Sequence, residues 1–137
     1  MDVDAGRTLP GRSRSGDSER TPPGVPSRGV SLYALNLFDL ADNDDYLAYS
    51  RRSPQAVARH GGQVVALGRH AGHAVETGDT EPRQVLVLVE WRDQRAFDDF
   101  LADPELADLH PLRENGTRRY IWWTFERLDD LRPLLRP

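Results

Sequence analysis

The chain has 137 residues, 38% hydrophobic and 29% charged, with a formal net charge of -4, which is the make-up of one small domain with a polar attachment. All eighteen basic residues are arginine and cysteine is absent, so thiol nucleophiles, disulfides, iron-sulfur ligation and Schiff-base chemistry are excluded. The charge is spread without a basic face and no nucleic-acid-reading motif is present, which argues against a nucleic-acid partner.

Residues 1–29 contain no aromatic residue and are rich in Gly, Pro, Ser and Arg. Such a segment buries too little apolar surface to offset its ordering entropy, and the sequence predicts a disordered leader followed by a folded domain over 30–137. The leader has no continuous apolar stretch, and Asp2, Asp4, Asp17 and Glu19 break the acid-poor pattern of a transit peptide. The longest aliphatic run, Val85 to Val89, is far shorter than the roughly 20 residues of a membrane span. These features predict a cytoplasmic protein without a membrane partner.

Ser31 to Phe38 alternates and is rich in strand formers. Asp39 to Asp45 then supplies an acidic helix start with Asp42 as the expected N-cap, and no glycine or distal glutamate follows at calcium-loop spacing. Tyr46, Leu47, Tyr49 and Val57 mark the helix. Pro54, preceded by Ser53, predicts a break into two pieces near Ser53. Arg59, His60 and Gly61 form its stop signal, with glycine at the left-handed position and His60 as a helix-end residue.

The second strand runs from Gln63 toward His70, with Val64, Ala66 and Gly68 expected on one face and Val65, Leu67 and Arg69 on the other. His70 and His73 are three apart on extended chain, where side chains point to opposite sides and chelate poorly. A polar hairpin leads to the third strand, Arg83 to Trp91. After it, Asp93 caps a helix carrying Ala96, Phe97, Phe100 and Leu101, Asp103-Pro104 opens a further turn, and His110-Pro111 is expected to end it. Asn115-Gly116 turns into the last strand, and Leu131, Leu134 and Leu135 predict a docked tail.

Val85 to Val89 and Tyr120 to Phe125 are apolar on both faces, so both sides of the sheet require cover. Two helices cover one side, and a second copy of the same sheet is the simplest cover for the other, which predicts a homodimer.

The β-α-β-β-α-β order resembles the ferredoxin-like dimeric α+β barrel superfamily, which implies an α+β fold with an antiparallel four-stranded sheet, helices on one face, and sheets of two protomers packed together. Within it Tyr46-Leu47-Ala48-Tyr49, His60-Gly61-Gly62 and Asp103-Pro104-Glu105-Leu106 through Arg113 resemble the domain of unknown function 1330 family of small bacterial proteins, over about residues 31 to 127. That label implies no reaction. The segment from Trp91 to His110 is also similar to cofactor-free antibiotic-biosynthesis monooxygenases and to haem-degrading monooxygenases. The latter resemblance places Asn36 and His110 at positions of oxygen chemistry and iron ligation, whereas Phe100 stands where those enzymes carry tryptophan.

The candidate site follows from these residues. Asn36 is alone in an apolar strand, and a buried amide must bond a ligand, Tyr49 or a backbone group. Arg113 offers a bidentate clamp for a carboxylate or enolate, or else pairs with Glu90 or Glu114. The enzyme reading makes His110 the acid/base and Asn36 and Arg113 the oxyanion stabilisers, with Tyr49, Trp91, Phe100 and Trp123 lining an apolar cleft. No dinucleotide, Walker, zinc-peptidase or hydrolase motif is present, and no metal site or cofactor is expected, haem being the alternative. The expected chemistry is cofactor-independent cyclisation, isomerisation or oxygenation of a small aromatic or polyketide-like molecule. The competing expectation is a non-catalytic ligand-binding or stress-related dimer in which the same residues satisfy the core.

Overall fold

The computed structural model describes residues 30–73 and 75–135. The leader over 1–29 lies outside the described residues. Strand β1 (Leu32–Leu40) is followed by helix α1 (Asp45–Arg59), strands β2 (Gly62–Arg69) and β3 (Val85–Trp91), helix α2 (Gln94–Ala102), a 3₁₀ turn (Pro104–Leu106), helix α3 (His110–Asn115) and strand β4 (Thr117–Glu126). The sheet order is β2-β3-β1-β4 and every pairing is antiparallel. This is the ferredoxin-like α+β arrangement. The chain returns to the sheet centre with β3 and to the far edge with β4, and the helices pack on one face.

Alternation along β1 decides which side is covered. Leu32, Ala34, Asn36 and Phe38 are buried, and the intervening residues are half-buried. Across the register, Trp91, Val89 and Val87 join them on the helix face, as does Trp122 from β4. Leu109, Leu106, Phe97 and Phe100 close the core from above. The opposite face presents Leu35, Leu37, Leu86, Leu88 and Ile121 half-buried, with Trp123 and Phe125 exposed.

Several local expectations are corrected. Helix α1 is continuous with Pro54 inside it rather than broken near Ser53. Tyr49 before the proline and Ala56 and Val57 after it are all buried, so packing of both halves on one sheet outweighs the lost hydrogen bond. Asp42 is not the cap. The Asn43 side-chain oxygen accepts from the Asp45 amide (2.9 Å) while its amide donates to the Asn115 carbonyl (3.1 Å), tying the start of α1 to the end of α3.

A register shift between Val64 and Ala66 places Leu67 opposite Val87, on the same side as Val64, and Ala66 opposite Leu88 on the open face. Strict alternation through β2 therefore fails after Val64. His70 follows the end of β2, and its ring meets that of His73 edge-on at 5.3 Å instead of pointing away. His110 opens α3 rather than closing the preceding turn, because Pro111 sits in its first turn where no backbone donor is needed. Leu131, Leu134 and Leu135 are exposed, not docked on their own protomer. Among the described residues no helix is long and apolar enough to cross a membrane.

Gly61 has φ 83°, the left-handed stop expected after α1, and its carbonyl accepts from the Arg92 amide (3.0 Å). Asp93 and Asp103 both cap as expected, accepting from the amides of Ala96 (2.8 Å) and Glu105 (2.9 Å). His60 stands at the C-cap of α1, and its Nε2 lies 2.8 Å from Asp103, joining the end of α1 to the corner after α2.

Candidate functional site

A cleft of about 60 Å³ opens between the sheet and α1. Its floor is Asn36, Val87, Val89, Trp91, Tyr120 and Trp122 from the sheet, and Tyr46, Tyr49, Ser53, Pro54 and Val57 line it from the helix. Phe100 of α2 closes one end. Ala34, fully buried, lies in this part of the sheet between Val89 and Thr124 of the neighbouring strands.

Asn36 is 6% exposed and fully engaged. Its amide donates to the carbonyls of Val87 (3.1 Å) and Ala34 (3.3 Å), and its oxygen accepts from the Tyr120 hydroxyl. Its partners are thus backbone groups and Tyr120, not Tyr49. Burial pushes the Tyr120 phenol far above its ordinary value and raises Tyr46 to about 12 and Tyr49 by a smaller step. The Arg113 guanidinium opposes burial at all three.

Arg113 is 7% exposed and lies behind the cleft wall. Its guanidinium stacks 4.6 Å from the Trp122 ring centre and 5.9 Å from those of Tyr49 and Tyr120. One nitrogen donates to His110 Nδ1 (3.0 Å), and another lies 3.5 Å from the exposed Glu114 carboxylate. Glu90 pairs with Arg127 instead (3.6 Å). Since a guanidinium only donates, His110 Nδ1 accepts and the ring proton is on Nε2. Burial and the adjacent Arg113 lower the His110 pKa, with the Phe100 carbonyl and Glu114 pulling the other way.

The structure therefore places Asn36, Tyr49, Trp91 and Phe100 on the cleft. Arg113 and His110 form the layer behind it, His110 edge-on to Phe100 at 5.4 Å. Trp123 is on the opposite, open face of the sheet, because it neighbours Leu35 while Trp122 neighbours Asn36. Adjacent strand residues point to opposite sides, and the β4 register alone decides which tryptophan faces inward. Tyr46, Tyr120 and Trp122 were missed by the sequence reading. The tyrosine on the first turn of α1 and the alternation of Tyr120 with Trp122 were the signals that could have found them.

A porphyrin does not fit this site. The cleft is too small, and His110 is held by Arg113 behind the Phe100 ring rather than directed into open space.

Fold and cleft together define a ferredoxin-like α+β protein of the kind in which a pocket lies between sheet and helices. The chain belongs to the family described as Domain of unknown function (DUF1330), whose model matches residues 31–124. Among solved structures it is similar to RPA0582, a protein of unknown function from Rhodopseudomonas palustris, at 23% identity over 74% of this chain and 85% of that one, with a TM-score of 0.62. It is also similar to SnoaB, a cofactor-independent oxygenase from Streptomyces nogalater, at 15% identity over 75% of this chain and 98% of that one, with a TM-score of 0.53. At these identities the likeness is one of fold. No curated protein matches the chain.

Proposed function

We propose that the protein is a cytoplasmic homodimer that binds a small aromatic molecule in the cleft and acts on it without a cofactor. The observation that carries this reading is the buried Arg113 charge against the aromatic wall, countered among the described residues by the exposed Glu114 carboxylate. A cation in a poorly solvated place stabilises negative charge arising nearby far more than it would in water. The cleft suits the phenolate or enolate form of an acidic substrate. The chemistry it supports is proton transfer leading to cyclisation or isomerisation, or oxygenation of that anion, as the fold shared with a cofactor-independent oxygenase would permit. Neutral His110 has its Nδ1 lone pair taken by Arg113 and its proton on Nε2, so it serves as a base only once Phe100 turns aside and Arg113 releases Nδ1. The volume favours a single ring over a polycyclic polyketide.

The complete engagement of Asn36 favours a second reading, in which the protein binds the same class of molecule and does not transform it. Titration with monocyclic phenols and enolisable ketones, followed by methyl NMR of Val57, Val87 and Val89 and by oxygen uptake and solvent deuterium exchange into the ligand, tests both. Shifted methyls with turnover or exchange support the enzyme. Shifted methyls alone support the binding protein. Unshifted methyls throughout overturn the cleft as a ligand site.

A further inference from the structure

Among the described residues Arg119 is the one non-glycine residue with a positive φ, 52°. Left-handed backbone crowds the β-carbon of an L-residue against the following carbonyl, and it persists only where the surroundings hold it. Arg119 stands where the register of β1 with β4 shifts. Asp39 pairs with Arg118 and Leu37 with Ile121, so Phe38 alone faces both Arg119 and Tyr120. This is a β-bulge with a left-handed first residue, a position that glycine ordinarily takes.

Side-chain and backbone contacts hold the arginine there. Its guanidinium donates to Asp39 (2.7 Å), to Glu81 (2.7 Å) and to the Pro82 carbonyl (2.9 Å), and its own carbonyl accepts from Arg83 (2.9 Å). The other Asp39 oxygen accepts from the Gln84 amide (2.9 Å), so β1, the approach to β3, and β4 are fastened together at the end of β1. The Gln84 amide and Arg119 hold the Asp39 carboxyl below its ordinary value, which keeps the clasp ionised at neutral pH.

The bulge decides what the cleft floor presents. With it, Tyr120 stacks on Phe38 at 5.2 Å and bonds Asn36, and Trp122 faces inward opposite Asn36. Were β4 to lose the bulge with Arg118 still opposite Asp39, Tyr120 would pair with Leu37 on the open face and Ile121 would stand opposite Asn36. Trp122 would then leave both Arg113 and the cleft.

We infer that Arg119, clasped by Asp39 and Glu81, is a positioning residue for the cleft: its left-handed backbone sets the β4 register that turns Tyr120 and Trp122 inward. Arg119 does not line the cleft and acts on a ligand only through those two residues. The effect on binding rests on the cleft being a ligand site, whereas the effect on register does not.

The test uses the full chain with labelled methyls and aromatic rings. The native register is read from the nuclear Overhauser contact between the Phe97 and Trp122 rings, whose centres are 5.3 Å apart, and binding from phenol titration at the Val87 and Val89 methyls. In Arg119→Ala the ring contact should fade as Ile121 methyls come to the helix face. If the native register falls to about a tenth of the population, phenol binds about tenfold more weakly. Arg119→Gly, free to keep the left-handed backbone, should restore both the contact and the affinity. Asp39→Asn with Glu81→Gln, which retains Arg119 and so stands in for an alanine variant that does not fold, should reproduce the alanine result. The same pair placed on Arg119→Gly should change little, because glycine needs no clasp. A native ring contact in Arg119→Ala, or a glycine variant no better than alanine, overturns the inference: the arginine would then serve stability alone. Phenol that moves neither methyl in the wild type overturns the cleft as a ligand site, while the ring contacts still decide the register.

Discussion

The Tyr120 hydroxyl donates to the Asn36 side-chain oxygen, joining the two inner polar side chains of neighbouring strands β4 and β1 on the cleft floor. Because the Asn36 amide is spent on β1 and β3 carbonyls, this bond links three strands through one residue. Tyr120→Phe leaves a buried oxygen unpaired and is expected to cost about 1–3 kcal/mol. In a double-mutant cycle with Asn36→Leu, the two losses should fall short of additivity by about 1 kcal/mol or more in urea unfolding. Additive losses would mean that the two side chains do not interact.

Alkaline pH should destabilise the protein through the same wall. Burial raises Tyr46, Tyr49 and Tyr120 above the ordinary phenol value in the folded state. The unfolded chain therefore loses phenolic protons first, and stability present below pH about 10 declines above it, by up to about 1.4 kcal/mol per pH unit for each such tyrosine. Urea unfolding from pH 9 to 11.5 should show this slope, and Tyr46→Phe should make it shallower. A flat profile would contradict the burial of the three phenols.

Gly116 has an ordinary φ of -88°, so its need for glycine is steric. A β-carbon there would lie 2.4 Å from the Tyr46 amide nitrogen and 2.7 Å from the Leu112 carbonyl oxygen, both backbone atoms. Gly116→Ala should push α1 from α3 and cost about 1–3 kcal/mol, with Tyr46 displaced from the cleft. Thermal unfolding measures the first effect and Tyr46 ring NMR shifts the second; an unchanged melting temperature would show that the two helices separate freely.

The open sheet face supplies the test of the homodimer. Trp123 and Phe125 are 56% and 48% exposed beside half-buried Leu35, Leu37, Leu86 and Leu88. An apolar face of this kind is covered in solution by a second copy in our reading. Trp123→Glu with Phe125→Glu should convert a sedimenting dimer to a monomer with unchanged secondary structure. A wild-type chain that is monomeric at micromolar concentration would rule the dimer out.

The order of strands and helices was legible in the chain because it is written in local signals. Alternation in Leu32–Leu40, the Gly61 stop, and the aspartates before Ala96 and at the 3₁₀ turn each act within a few residues. The two-sided apolar strands likewise identified a second face needing cover. Other features depended on atoms far apart in sequence. Pro54 stays inside α1 because residues on both sides of it pack on one sheet, an energy absent from its neighbours along the chain. The shift between Val64 and Ala66 is a pairing property of β2 with β3. The candidate site shows the same division. Asn36 was recognisable as a polar residue in an apolar strand. Its partner Tyr120, the choice of Trp122 over Trp123 for the cleft, and the withdrawal of His110 and Arg113 behind Phe100 and Trp122 followed only from strand register and helix packing, since a one-residue change of register would reverse every side chain of β4.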